Sequence, residues 1–174
     1  MSEIQINCSY TETVNIEELK PNPRNPNQHP ESQIQLLAKI LKRQGWRRPI
    51  TISNRSGYIV RGHGILQAAQ LAGCKVVPVD RQDYDSDEAE QADLLADNQI
   101  AELSQFDPRL LMDIIEELEA GGLDMELAGF DEGTLERFKI EYGVPDVDFP
   151  EFTENAAKDV KMACCPKCGH EFPV

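Results

Sequence analysis

Long apolar runs are missing from this sequence of 174 residues. No stretch approaches the roughly 18 to 20 apolar residues that a membrane-spanning helix needs. Residues 1–4 also lack the basic start and apolar continuation of a secretory signal. We therefore expect a cytoplasmic protein that neither crosses a membrane nor is exported.

Cysteine is sparse, and its distribution argues against a disulfide framework. There are five cysteines, an odd number, and three of them fall within five residues near the C-terminus. Such clustering favours metal binding over disulfides, whereas Cys8 and Cys74 are isolated and incidental. What is present, 40% hydrophobic and 28% charged residues, is typical of a globular protein.

Positive charge is scarce overall and unevenly distributed. The formal net charge is −14, which argues against a general nucleic-acid binder. Residues 1–79 nevertheless carry ten Lys and Arg against five acids, whereas residues 80–154 carry four against 24. This asymmetry favours a polyanion-facing lobe joined to a partner-facing one. The alternative is that the acidic helices are simply solvated faces.

Short alternating segments and one amphipathic stretch predict a mixed α/β lobe in residues 1–80. The predicted elements are a strand at 14–19, a proline-rich loop at 20–29, a helix from Pro30 to Gly45, strands at 49–53 and 58–61, a helix from His63 to Leu71 and a strand at 75–80. We expect Trp46 in the core. Pro78 favours a sheet edge for the last strand, because proline cannot donate to a ladder.

The residues after position 80 predict acidic helices. Ser86, Asp107 and Asp131 are each residue types that cap a helix start. Residues 143 to about 163 hold two prolines and show no periodicity, which predicts a linker. We therefore divide the chain into an α/β core at 1–80, an acidic helical lobe at 81–143, a linker at 144–163 and a short tail at 164–174.

Several motifs occur in the order and spacing of one known family. They are the proline- and arginine-rich loop, GWRRPITI at 45–52, YIVRGHGILQAAQLAG at 58–73, VVPV at 76–79 and ADNQIAE at 96–102. Over residues 14–105 the chain resembles the ParB N-terminal, or ParB/sulfiredoxin, domain. Its GHG turn is similar to the variant found beside DNA methyltransferases of phages and mobile elements. The resemblance implies an α/β fold of ParB/sulfiredoxin type in a bacterial or phage-infected host cell.

The same resemblance implies a nucleoside triphosphate with Mg²⁺ at the glycine-led turn before the second helix. Free backbone N–H groups and the positive end of a helix attract phosphate at such a turn. The candidate binding residues that it implies are Arg24, Asn25, Arg61, Gly62, Gly64 and Asn98, with Asp97 beside them as the candidate magnesium ligand.

The turn departs from the family pattern at its arginines. The family turn reads Gly-Glu-Arg-Arg, and here Gly64 and Ile65 occupy the two arginine positions. Isoleucine cannot replace a bidentate phosphate donor, so the departure weakens triphosphate binding. Arg61 and Arg24 are the cations that could compensate.

The first function hypothesis is a nucleotide- or DNA-binding module of a phage or mobile element, acting in DNA modification or processing. If it is an enzyme, a weak NTPase, nuclease or phosphotransferase activity would use His63 to move a proton and Asp97 to hold the metal. DNA would contact the basic residues 39–61. Sulfiredoxin chemistry is not expected, because His63 occupies the position of its nucleophilic cysteine.

The second hypothesis is a non-catalytic adaptor or inhibitor. Its acidic residues 83–154 would dock a partner protein, such as a methyltransferase or a host defence factor. We also expect a homo-oligomer.

The tail CCPKCGH at 164–170 predicts a zinc site. Cys165 and Cys168 have C-x-x-C spacing and resemble the first half of a zinc ribbon, whereas a closed structural site needs four ligands. A second chain could supply a second pair, and the alternative is a tail without metal. The candidate ligands within the tail are Cys164, Cys165, Cys168 and His170.

Overall fold

A four-stranded mixed sheet forms the framework of the first of two units in the computed structural model, which describes residues 4–142 and 162–173. Its strands are β1 (Glu12–Asn15), β2 (Ile50–Ser53), β3 (Ile59–Arg61) and β4 (Val76–Gln82). They lie in the order β1-β4-β2-β3, with β4 parallel to β2 and the other neighbours antiparallel. The mixed α/β class expected from the sequence is confirmed.

Five helices accompany the sheet in the described part of the chain. They are α1 (Glu31–Gln44), α2 (His63–Leu71), α3 (Asp87–Leu103), α4 (Pro108–Ala120) and α5 (Glu132–Tyr142), with short 3-10 helices at Ile16–Glu18 and Met125–Ala128. The predicted caps are confirmed: Ser86 accepts the backbone N–H of Ala89, Asp107 that of Leu110 and Asp131 that of Thr134. Each cap satisfies an N–H that has no partner within its own helix.

The first strand lies earlier than the alternation of residues 14–19 predicts. The side chain of Asn15 accepts the backbone N–H of Glu17, and the chain turns into a 3-10 helix at Ile16. Asparagine commonly closes such a turn two residues ahead of itself. A local hydrogen bond therefore ends the strand that periodicity alone would extend.

The prediction that Pro78 places its strand at a sheet edge is wrong. Strand β4 is an interior strand, with β1 on one side and β2 on the other. The two ladders are staggered along β4: Pro78 lies opposite Thr13 of β1, and pairing with β2 begins only at Val79. The missing N–H of Pro78 therefore precedes the second ladder instead of interrupting it.

The main core lies where α1 and α2 pack on the sheet. Trp46, which follows the C-terminal end of α1, is 1% exposed and packs with Leu41. Its predicted place in the core is confirmed. The sheet contributes Ile50, Ile59 and Val79, none of which is exposed. Burying large apolar side chains of this kind contributes roughly 1.5–3 kcal/mol each, so this cluster fixes how the helices sit on the sheet.

Helix α3 is fastened to the β2–β3 hairpin by a buried carboxylate. Glu90 is only 6% exposed, and it accepts hydrogen bonds from Ser53 Oγ at 2.6 Å and Ser56 Oγ at 2.7 Å. Ser53 Oγ in turn accepts the backbone N–H of Arg55. A buried carboxylate is tolerated when its oxygens have donors, so this network holds α3 and the hairpin together.

Residues 162–173 form a small unit of their own. Strands β5 (Met162–Cys164) and β6 (Glu171–Pro173) pair antiparallel around the Cys-Pro-Lys-Cys-Gly-His turn. Of the predicted linker at 144–163, residues 144–161 lie outside the described residues. The predicted boundary after residue 80 falls inside β4. The division into four segments stays a prediction. No helix in the described parts of the chain has the length and apolar character to cross a membrane.

Replacing Glu90 by alanine should lower the free energy of unfolding by about 1–3 kcal/mol, because two hydroxyl groups at the hairpin lose their acceptor. The matched control is Glu102→Ala on the same helix, since Glu102 is exposed. Urea denaturation of the three proteins measures the effect. Equal stability of the two variants would contradict the role of Glu90.

Candidate functional site

A cavity of about 380 Å³ opens at the start of α2. Of the eight residues predicted outside the tail, six line it: Arg61, Gly62, His63, Gly64, Asp97 and Asn98. The volume falls in the range of small-molecule sites. Residues from β3, α2 and α3, distant in sequence, therefore meet around one concave space.

The turn into α2 depends on two glycines. Gly62 has φ +98°, in the left-handed region that residues with a side chain rarely adopt. A Cβ on Gly64 would lie 3.1 Å from Cε1 of His29, so the missing side chain lets that imidazole pack on the helix start. Within residues 4–142 no side chain caps this helix. The first-turn N–H groups at the cavity wall are thus available to an anion.

His63 holds the proline-rich loop against this turn. The backbone N–H of Asn22 donates to His63 Nε2 at 3.2 Å, which places the ring proton on Nδ1 in the neutral form. Burial lowers the pKa of His63, and the nearby charge of His29 lowers it further. The nitrogen that would act as a base already accepts a hydrogen bond, so this geometry makes His63 a residue that positions the loop.

Arg61 is engaged by carboxylates of α3. It donates to Asp93, and its Nε lies 3.8 Å from Asp97 Oδ1. The hydrogen bond with Asp93 raises the pKa of Arg61. The hydroxyl of Tyr84 donates to the other oxygen of Asp93 at 2.8 Å, and burial followed by this hydrogen bond raises the pKa of Tyr84. A phosphate bound near Arg61 would compete with these carboxylates.

The loop residues Arg24 and Asn25 lie beside the cavity rather than in its wall. Asn98 Nδ2 donates to Asn25 Oδ1 at 3.4 Å, so the loop and α3 do meet, as the sequence predicts. Arg24 is exposed, and its backbone N–H donates to Asn22 Oδ1 at 2.9 Å. Among the described residues, Arg24 is absent from the cavity lining.

Comparison with known proteins identifies the family. The family model described as the ParB N-terminal domain matches residues 2–105. This chain belongs to the ParB N-terminal domain family. It is also 34% identical over 64 residues to the ParB-like nuclease domain-containing protein YnaK of Escherichia coli, covering 37% of this chain and 72% of that protein.

Two solved structures are similar to this ParB-family chain. One is the C-terminally truncated chromosome-partitioning protein ParB from Caulobacter crescentus complexed with CTP-gamma-S, with TM-score 0.60, 20% identity and coverage of 78% of this chain and 79% of that chain. The other is sulfiredoxin from Arabidopsis thaliana, with TM-score 0.40, 16% identity and coverage of 48% and 98%. The first supports the fold that the sequence motifs predicted.

Three ionisable residues of the cavity lining were not among the predicted site residues of this ParB-family domain: His29, Arg48 and Asp80. Asp80 ends the strand predicted at 75–80, and the carboxyl ends of parallel strands commonly border a ligand crevice; in the structure it lies opposite Thr51 of β2. Thr11 Oγ1 and Gln82 Nε2 donate to its two carboxylate oxygens. Arg48 directly follows Arg47, and nothing in the local sequence distinguishes the two arginines.

The four tail residues predicted to bind zinc do not converge. In the described parts of the chain, no three His, Cys, Asp or Glu side chains form a group that could hold a metal. The Cys165 thiol lies against the backbone N–H groups of Lys167 and Cys168 and against the Cys168 thiol, and these contacts lower its pKa. Cys164 instead directs its Sγ to the carbonyl oxygen of Gly169 at 3.5 Å.

Lowering the pH should reduce the free energy of unfolding of the ParB-family domain through the titration of His63. The pKa of His63 is lower in the folded than in the unfolded chain, so the unfolded chain binds the proton more readily and stability falls as the pH drops below about 6.5. In His63→Asn the amide oxygen can accept the Asn22 N–H without titrating. The free energy of unfolding should therefore change less between about pH 7.5 and 5.5 in this variant. His170→Asn in the tail unit is the control, and the idea fails if His63→Asn retains the full pH dependence.

Proposed function

We propose that this ParB-family domain binds a nucleoside triphosphate in the cavity at the start of α2. The observation that carries the proposal is the glycine-led helix start, whose first-turn N–H groups border a cavity of about 380 Å³. Such a helix start attracts phosphate through its N–H groups and dipole. The similar ParB from Caulobacter crescentus was crystallised with CTP-gamma-S, which supports the same ligand class here.

Arg48 is the cation that this proposal makes most important. It lines the cavity and, among the described residues, forms no ion pair, whereas Arg61 is held by Asp93 and Asp97. A guanidinium can bind phosphate through two parallel hydrogen bonds. Arg48 thereby supplies part of the positive charge that the substituted GHG turn lacks.

Magnesium fits the acidic side of the same cavity. Asp97 is exposed, and both Asp97 and Asn98 line the cavity. Oxygen ligands of this type hold Mg²⁺ together with substrate phosphates. The metal would neutralise phosphate charge, while Arg61 would exchange Asp97 for a phosphate oxygen. Binding of the nucleotide with its metal would thus replace an existing ion pair.

Turnover of the nucleotide, or cleavage of a phosphodiester, stays a prediction for this site. Asp97 is placed to hold a metal, but His63 Nε2 already accepts the Asn22 N–H. Proton transfer by that nitrogen would require the loop to leave first. A purified domain that binds a nucleotide without hydrolysing it would agree with His63 as a positioning residue.

Arg48→Ala should weaken nucleotide binding at least about tenfold, because a charge-assisted hydrogen bond contributes about 1.5–3 kcal/mol. The matched control is Arg47→Ala, which removes the neighbouring exposed arginine outside the cavity lining. Thermal stabilisation by ATP, CTP, GTP and ADP, each with and without magnesium, selects the nucleotide for calorimetric titration. The proposal is overturned if no nucleotide stabilises the protein at millimolar concentration, or if both variants bind like the wild type.

We also propose a DNA contact surface, narrower than the predicted range 39–61. Three cations of that range are neutralised by acids: Lys39 pairs with Asp124 and Glu126, Arg55 with Asp87 at 2.5 Å, and Arg61 with Asp93. The remaining cations outside the cavity lining are Lys42, Arg43 and Arg47, which are exposed around the C-terminal end of α1. They form no ion pair within the described residues, and the nuclease-domain name of the Escherichia coli relative supports DNA as their partner.

Replacing Lys42, Arg43 and Arg47 together by alanine should weaken DNA binding and reduce the slope of log affinity against log salt by about 2 to 3, one step for each lost phosphate contact. Arg55→Ala is the control, because Arg55 is already neutralised by Asp87. Fluorescence anisotropy with a labelled duplex at several salt concentrations measures the slope. An unchanged slope in the triple variant would remove this surface from the proposal.

The adaptor hypothesis remains the alternative, and one observation favours it. The acidic lobe exposes a run of apolar side chains along the end of α3 and the start of α4: Ile100, Leu103, Phe106 and Leu110 are each more than half exposed. A contiguous exposed apolar patch is typical of a protein interaction site. The part of the predicted partner surface at 143–154 lies outside the described residues.

The identity of a partner, a phage origin, a role in DNA modification and homo-oligomerisation stay predictions.

We further propose that the C-terminal unit binds zinc. Cys165 and Cys168 have the required spacing, and backbone N–H groups face the Cys165 sulfur. Thiolates are preferred ligands of structural zinc. The metal would tie the two sides of the turn between β5 and β6 together.

A further inference from the structure

Cys165 and Cys168 are held together by the turn of the β5–β6 hairpin. The backbone N–H of Cys165 donates to the carbonyl of His170 at 2.9 Å, and the N–H of Gly169 donates to the carbonyl of Cys165 at 2.9 Å. Gly169 adopts φ +73°, in the left-handed region that closes the turn. The Cys165 and Cys168 thiols contact each other, and the backbone of the turn that carries them is closed by its own hydrogen bonds.

The neighbouring candidates Cys164 and His170 are not part of this arrangement. Cys164 ends β5 and directs its sulfur at the Gly169 carbonyl at 3.5 Å. In residues 162–173, as in 4–142, no third His, Cys, Asp or Glu joins a pair to form a metal-binding group.

The other cysteines and histidines lie in the first unit, where His63 accepts the Asn22 N–H and His29 is hydrogen-bonded to Gln33. Cys8 and Cys74 are partly buried and pack against the core of the first unit. The stretch 143–161 contains neither cysteine nor histidine. A structural zinc ion binds four ligands, and the tail turn presents two.

We infer that two copies of this chain share one zinc ion, each copy supplying Cys165 and Cys168. This inference rests on the proposal that the tail binds zinc. The pairing is isologous, because the same two residues of each copy meet across a two-fold axis. Residues 155–174 carry a net charge of +1, whereas residues 80–154 carry −20, so two tails approach with far less repulsion than two acidic lobes would.

The experiment measures zinc content and molar mass on the full chain, purified in reducing buffer with zinc as the only added metal. We expect one zinc ion for every two chains, and a mass by light scattering that falls when a chelator removes the metal. Cys165→Ser and Cys168→Ser should each lose the zinc and the zinc-dependent part of the mass. Cys164→Ser and His170→Asn are the matched controls and should keep both.

Two results would overturn the inference, and they differ in whether the proposal that the tail binds zinc survives. One zinc ion per chain, lost in Cys164→Ser or His170→Asn, would show a site completed within a single tail, and the zinc proposal would survive. No retained zinc in the wild type would remove both the shared site and the zinc proposal. With cobalt in place of zinc, sulfur-to-metal charge-transfer absorption separates these cases further. Absorption of the strength that four thiolates give, at half a metal per chain, agrees only with the shared site.

Discussion

The attachment of α3 to the β2–β3 hairpin is the constraint on which the site depends. Glu90 binds Ser53 and Ser56 from the buried side, and Arg61 at the end of β3 binds Asp93 one turn further along α3. These contacts bring the next turn, with Asp97, to the cavity. Because each bond joins a hairpin residue to a helix residue, loss of the attachment would open the wall of the site.

The charge distribution of the folded chain differs from the one that its sequence suggests. Several of the basic residues in the first half are neutralised by acids of the second half, as in the ion pairs of Lys39 with Glu126 and Arg61 with Asp93. The acidic lobe thus acts on the basic lobe of the same chain. Among the cations without an ion pair in the described residues are Arg48 in the cavity and Lys42, Arg43 and Arg47 around the C-terminal end of α1, so a protein with net charge −14 still exposes positive charge locally.

Membership of the ParB N-terminal family accounts for the scaffold but not for the details of the site. The turn that carries arginines in the family pattern here carries Gly64 and Ile65, and the space at Gly64 is taken by the ring of His29. His63 in the same turn accepts a hydrogen bond from the loop at Asn22. At this turn, loop contacts from His29 and Asn22 stand where the family pattern has arginine side chains.

Local signals in the sequence determined the helix caps at Ser86, Asp107 and Asp131, the burial of Trp46 and the glycine-led turn, because each depends on residues close together in the chain. The tertiary structure alone decided that β4 is an interior strand. It also decided which cation faces the cavity: Arg48 lines it and its neighbour Arg47 does not. The physical reason is that strand order and ion pairs join positions far apart, such as Lys39 and Glu126, 87 residues away, and no local pattern records which distant group will meet.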